Sequence, residues 1–148
     1  MKDYDIVIVG AGCSGLSLAY RLINSSYRVC LIENKPITDR IRKTWSYWDA
    51  YEHPFKHLNK YINKKLSIHN NKSTSILDCS EQNYCSIDSY DFDKYVLNNI
   101  DECANVEIMF DTEIKEIITT HERYDINLNK GSINAKSVSY THLRAHET

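Results

Sequence analysis

No stretch of the 148 residues is apolar for long enough to span a bilayer, and the first residues lack the charged-then-apolar pattern of a cleaved signal. A cytosolic chain is expected. Charge of either sign is not in excess: 18 Lys and Arg against 20 Asp and Glu leave a net charge of −2, too little to mark a nucleic-acid partner. Paired cysteines are also lacking. Cys13, Cys30, Cys79, Cys85 and Cys103 are odd in number and nowhere form C-x-x-C. This argues against a disulfide framework or a zinc site and leaves buried, reduced thiols as the expectation. Glycine is scarce as well. There are four, and three of them, Gly10, Gly12 and Gly15, fall within six positions.

Those three carry the strongest signal in the chain. Ile6 to Val9 is an unbroken β-branched run, as expected of a parallel strand buried on both faces. The segment Gly10-Ala11-Gly12-Cys13-Ser14-Gly15 follows it directly. Gly10 allows a tight turn, Gly12 lets the backbone approach a pyrophosphate without a Cβ in the way, and Gly15 lets a helix pack close to the strand. The helix N-terminal amides then hold the phosphates. Leu16, Leu18, Ala19, Leu22 and Ile23 recur at helical spacing, Asn24-Ser25-Ser26 stops the helix, and Tyr27 to Ile32 returns as a strand. Glu33 lies 33 − 15 = 18 residues past the last glycine, near the roughly 20 expected of the acid that binds a ribose hydroxyl pair. The fold class implied is α/β, a Rossmann-like dinucleotide-binding domain.

From Lys35 to Asp88 the sequence leaves the simple pattern for an excursion rich in aromatics, among them Trp45, Tyr47, Trp48, Tyr51, Phe55, Tyr61 and Tyr84. Leu66 to Ile68 and Ser75 to Leu77 flank Asn70-Asn71-Lys72 as a hairpin. Lys56, Lys60, Lys64 and Lys65, interleaved with Phe55, Leu58 and Tyr61, read as a solvated helix face or as a peripheral membrane contact. His53 and His57, four apart, read as helix-surface residues. Ser89 is placed to cap a helix over Tyr90 to Glu102 with Phe92, Tyr95, Val96 and Ile100 inward. Val106 to Phe110 then reads as a third parallel strand. Ile114 to Thr120, Tyr124 to Leu128 and Ser132 to Lys136 read as a three-stranded antiparallel meander.

This order of parts resembles the flavoproteins that bind FAD. Thr44-Trp45-Ser46-Tyr47-Trp48 and the pattern Tyr84-x-x-Ile87-x-Ser89-x-x-Phe92 narrow the resemblance to the bacterial lycopene cyclases, over about Tyr4 to Lys136. The resemblance implies FAD as cofactor, NAD(P)H as the reductant of that flavin in the parent enzyme, and lycopene or a related polyene as substrate, whose end groups are isomerised to β-rings. Gly10, Ala11, Gly12, Cys13, Ser14, Gly15 and Glu33 would hold the dinucleotide, with Lys35, Arg40 or Arg42 neutralising phosphate or covering adenine. For these three bases plain surface charge is an equal alternative. Trp45 and Trp48 either line a polyene channel or pack the excursion, and packing is preferred given the area an aromatic buries. The family's acidic catalytic motif falls outside this chain, so no catalytic residue is assigned. A geranylgeranyl reductase or aromatic hydroxylase shares the same first domain, and an inactive nucleotide-binding fragment is the remaining alternative.

Residues 1–137 are therefore read as the N-terminal part of an FAD-binding domain, and 138–148 as a foreign tail. Val138 to Thr148 resembles the translation, in one frame, of a widely used transposase sequencing adapter. His142, His146 and Glu147 within it are not read as a metal site, because two histidines without a third placed ligand are weak grounds for one.

Overall fold

The computed structural model describes residues 1–140. In chain order its elements are β1 (Lys2–Val9), α1 (Cys13–Arg21), β2 (Val29–Ile32), β3 (Thr44–Trp48), β4 (Asn59–Asn63), β5 (Lys65–His69), β6 (Thr74–Asp78), β7 (Tyr84–Asp88), α2 (Ser89–Asp101), β8 (Val106–Met109), β9 (Ile114–Thr119), β10 (Tyr124–Leu128) and β11 (Gly131–Tyr140), with short 3-10 turns at Ile37–Asp39 and Lys56–Leu58. They form two compact units, Met1–Arg40 with the chain from Val96 onward, and Ile41–Tyr95.

The first unit is built on one six-stranded sheet of order β8-β2-β1-β11-β10-β9. β8, β2, β1 and β11 run parallel, and β10 and β9 continue the sheet antiparallel. The apolar run of β1 is used as its sequence suggests: Val7 and Ile8, on opposite faces, are both fully buried, and all four residues of β2 are buried. Each such side chain removed from water contributes about 1.5–3 kcal/mol. Tyr4, Val7, Cys30, Ile32, Ile126, Ile133 and Ala135 make one continuous core across four strands. The meander is therefore part of the parallel sheet. Its last strand runs to Tyr140, four residues past the expected end at Lys136 and three residues into the segment read as foreign, with Val138, Ser139 and Tyr140 opposite Val7, Ile8 and Val9. Ladder bonds use backbone groups, which any residue but proline supplies. The histidines at 142 and 146 and Glu147 lie outside the described residues.

Helix α1 packs Gly15, Leu16 and Ala19 inward. Its end is marked by Asn24 in the left-handed region (φ 62), which a short polar side chain tolerates better than most. The Asn105 side chain closes the turn that follows: its amide donates to the carbonyls of Leu22 and Tyr27 at 2.9 and 3.0 Å, and its oxygen accepts the Asn24 N–H at 3.2 Å.

In the second unit, β3 and β4 flank β7 in a three-stranded antiparallel sheet, and β5 and β6 form the expected hairpin as a separate two-stranded ribbon. The lysine-rich stretch is not a helix. Phe55, Leu58 and Tyr61 mimic helical spacing, yet the chain makes only a 3-10 turn and then enters β4, because its hydrogen bonds go to β7 instead. His53 and His57 are accordingly not on a helix surface; their rings lie edge-on to Tyr47 (5.0 Å) and Tyr95 (4.6 Å).

The cap of α2 also differs by one residue. Asp88 Oδ1 accepts the Tyr90 N–H at 3.0 Å and fills the capping role expected of Ser89, whose hydroxyl accepts the Lys43 N–H at 2.7 Å. The Asp88 carboxylate also takes a fork from Arg42 (Nε to Oδ2, 2.8 Å) and lies 3.4 Å from Lys60 Nζ. The Arg42 guanidinium, with the helix amide and Lys60 assisting, holds its carboxyl down at about 2 against an ordinary 3.8. A depressed folded-state value means stability that is present above the ordinary carboxyl range and lost as pH falls from about 4 toward 2. Asp88→Asn is therefore expected to melt several degrees below the parent at pH 6, and the gap between their circular-dichroism melting curves should close near pH 2. A gap that persists unchanged at pH 2 would reject the assignment.

Candidate cofactor site

The topology itself locates the site. From β1 the chain steps to β2 and β8 on one side, and returns through the meander to β11 on the other. The order reverses between β1 and β11, and in open parallel sheets ligands bind beyond the carboxyl ends of the strands at such a reversal. Val9, paired with Ile32 and Tyr140, ends β1 there, and the glycine segment follows it.

Gly10 carries the one conformational demand in the segment. Its φ is 97, a region closed to most side chains, and its N–H donates to the Ile32 carbonyl at 2.8 Å, so the chain turns sharply while still tied to β2. Gly12 caps α1 with extended dihedrals open to any residue (φ −76, ψ −173), so its advantage is the missing Cβ. It brings no side-chain cap, and the first turn holds no acid. The first intrahelical bond is Leu16 N–H to the Gly12 carbonyl at 2.9 Å. The Gly12, Ser14 and Gly15 N–H groups have no acceptor among the described residues. Cys13 and Ser14 are exposed on this turn, and Gly15 is buried. Exposure of Cys13 departs from the buried thiol expected, because it stands at the first position of α1, outside the face that packs Gly15, Leu16 and Ala19. Cys30, by contrast, is fully buried, and burial pushes its thiol up to about 12, which makes it an inert core residue. None of the five cysteines is in a disulfide.

Glu33, one residue past β2, is brought directly to the glycine turn. Its Oε2 accepts the Ala11 N–H at 2.8 Å and its Oε1 accepts the Lys35 N–H at 3.1 Å. Each carboxylate oxygen keeps acceptor capacity, so the group is held rigidly and still able to take ribose hydroxyls. Amides of Gly12, Ser14 and Gly15 without an acceptor among the described residues, a turn with no Cβ at Gly10 or Gly12, and an acid fixed beside them fit an adenine dinucleotide.

The three bases separate. The Lys35 side chain is exposed. Arg42 belongs to the second unit, where Asp88 engages it. Arg40 reaches the glycine turn: its Nη2 donates to the Ala11 carbonyl at 2.8 Å. Spacing carried no signal that would single it out, because the contact depends on how the chain after the 3-10 turn folds back. Among the described residues no cluster of three His, Cys, Asp or Glu could hold a metal, and no helix is long and apolar enough to cross a membrane.

The family described as lycopene cyclase protein matches residues 5–140, and the chain belongs to that family. The ubiquinone hydroxylase UbiM of Neisseria meningitidis is 28% identical over 156 residues, covering 87% of this chain and 33% of that protein. Among solved structures, the p-nitrophenol 4-monooxygenase PnpA of Pseudomonas putida superposes with a TM-score of 0.78 at 18% identity, over 95% of this chain and 41% of that one. The probable FAD-dependent monooxygenase PqsL of Pseudomonas aeruginosa gives 0.74 at 18% identity, over 93% and 42%. A geranylgeranyl bacteriochlorophyll reductase-like protein of Thermoplasma acidophilum gives 0.68 at 16%, over 95% and 39%. These likenesses establish the fold. The chain spans about a third of the curated relative and about two fifths of these structures.

Loss of the Glu33 carboxylate removes the tie to Ala11 and the acceptor expected to meet a ribose. In the protein expressed from its complete reading frame, Glu33→Ala is expected to weaken FAD binding about 10- to 100-fold, as for loss of a hydrogen bond to a charged group. Flavin fluorescence titration measures it, and an unchanged dissociation constant would remove Glu33 from the site.

Proposed function

We propose that this chain is the front of a flavin-dependent lycopene cyclase that converts the acyclic ends of lycopene, or a related polyene, to β-rings. The observation that supports this reading most is the pairing of β3 with β7. The two segments that resemble the cyclases lie 40 residues apart in sequence, yet they are adjacent strands with Trp45 opposite Ile87 and Trp48 opposite Tyr84. Their aromatics interlock: Trp45 meets Phe92 edge-on at 5.2 Å, Phe92 meets Phe55 at 4.8 Å, and Trp48 meets Tyr84 at 5.0 Å. This packing favours a structural role for Trp45, while Trp48 remains 45% exposed.

In this reading the residues of the chain hold the cofactor. The open amides of Gly12, Ser14 and Gly15 take the diphosphate of FAD, and Glu33 takes the ribose. When bound and reduced, with NAD(P)H as its source of electrons, the flavin would supply negative charge density that stabilises the tertiary carbocation formed when a polyene end is protonated, before the ring closes and a proton is lost. The acid that gives the proton is not assigned to any residue here. A peripheral contact with the membrane that dissolves the polyene belongs to the same reading, through the lysines and exposed Tyr61, Ile62 and Ile68 of β4 and β5.

The similarity to a ubiquinone hydroxylase supports a second reading, oxygen insertion into an aromatic ring. Products separate them. A lycopene-accumulating bacterium given the complete reading frame should form β-rings without stoichiometric consumption of reductant; unchanged lycopene alongside flavin-dependent hydroxylation of an aromatic substrate would favour the second.

Residues 138–148 are proposed to be adapter-derived, the support being their match to the translated adapter. Resequencing of the locus is expected to replace them; an uninterrupted genomic frame that encodes the same eleven residues would overturn this.

A further inference from the structure

Around the glycine turn, two consecutive peptide groups are held by side chains of opposite charge. The Gly10–Ala11 peptide gives its N–H to Glu33 Oε2 at 2.8 Å, and the Ala11–Gly12 peptide gives its carbonyl to Arg40 Nη2 at 2.8 Å. Ala11 itself is fully buried, so neither contact is a surface accident. A trans peptide is planar and its C=O and N–H point in opposite directions. An arginine that fixes the Ala11 oxygen on one side therefore fixes the Gly12 N–H on the other, and that N–H has no acceptor among the described residues. A charged donor on a carbonyl also polarises the whole peptide and strengthens its N–H as a donor.

The geometry points to Arg40 as a positioning residue for the diphosphate: it acts through the Ala11–Gly12 peptide, aiming and polarising the Gly12 N–H, and does not touch the phosphate. This rests on the dinucleotide reading of the site. It also distinguishes Arg40 from Lys35 and Arg42, which a simple count of nearby positive charges would treat alike. The effect on binding is that of one hydrogen bond, about tenfold in the FAD dissociation constant.

The scarcity of glycine makes the test direct, because a 15N-glycine-labelled chain shows four amide resonances, from Gly10, Gly12, Gly15 and Gly131. In the ligand-free chain, Arg40→Met should move the Gly12 resonance while Gly131 stays in place, and Arg40→Lys, which keeps a charged donor, should return it part of the way. In the protein from the complete reading frame, FAD should then bind Arg40→Met about tenfold more weakly, with Arg40→Lys between. A Gly12 resonance that does not respond to Arg40→Met overturns the inference. Weaker FAD binding with Gly12 unmoved overturns it too, in favour of direct contact between Arg40 and phosphate. Failure of the parent protein to bind FAD at all would sink the dinucleotide reading, and the ligand-free spectra would still decide whether Arg40 holds the peptide.

Discussion

Everything in the first unit depends on β1 having parallel partners on both sides. Parallel neighbours cannot be joined by a tight turn, so each one forces a crossover. The crossover to β2 produces α1, and with it a helix start beside the carboxyl end of the sheet. The return to the other side of β1 produces the order reversal that opens the crevice. The binding geometry is thus a consequence of how β1 is hydrogen-bonded before any ligand is considered. Substituting a polar residue for Val7 or Ile8, both fully buried, would disturb the glycine turn through the sheet, without altering a residue of the turn itself.

Local pattern made much of this legible. The β-branched run, the three glycines and the helical spacing after them described β1, α1 and β2 because each is specified by neighbours in sequence. The ribbon of β5 and β6 and the strands β9 and β10 were legible for the same reason. What pattern missed was set by partners far away. Phe55, Leu58 and Tyr61 had helical spacing, and β7 overrode it by supplying a strand edge. Ser89 and Asp88 are both good caps, and Asp88 took the role because Ser89 was occupied by the Lys43 amide. Arg40 was one of three equivalent bases until the chain folded back on Ala11.

Two acids do comparable work in the two units. Glu33 accepts amides at a turn, and Asp88 accepts an amide at a helix start, each positioned at a strand's end. They differ in the charge that answers them. Asp88 is neutralised by Arg42 and Lys60 and is spent on structure. Glu33 is met by the backbone amides of Ala11 and Lys35, which leave its oxygens able to accept more. One carboxylate is thus engaged by side-chain cations and the other by backbone amides.

The ribbon of β5 and β6 has no inside. Leu66, Ile68 and Leu77 share one face, and Ile76 stands on the other at 71% exposure, so aliphatic surface meets water whichever way the ribbon lies. Lys65 and Lys72 lie within it and Lys64 directly precedes it, with Asp78 opposite Lys65. Like charges of this kind keep two copies from stacking ribbon on ribbon, the gatekeeper arrangement of sticky strands. Solubility at this corner is therefore maintained by repulsion more than by burial. Repulsion between exposed charges shortens from a reach of about 10 Å at 0.1 M salt to about 3 Å at 1 M, so the ribbon makes this protein's colloidal behaviour a function of ionic strength.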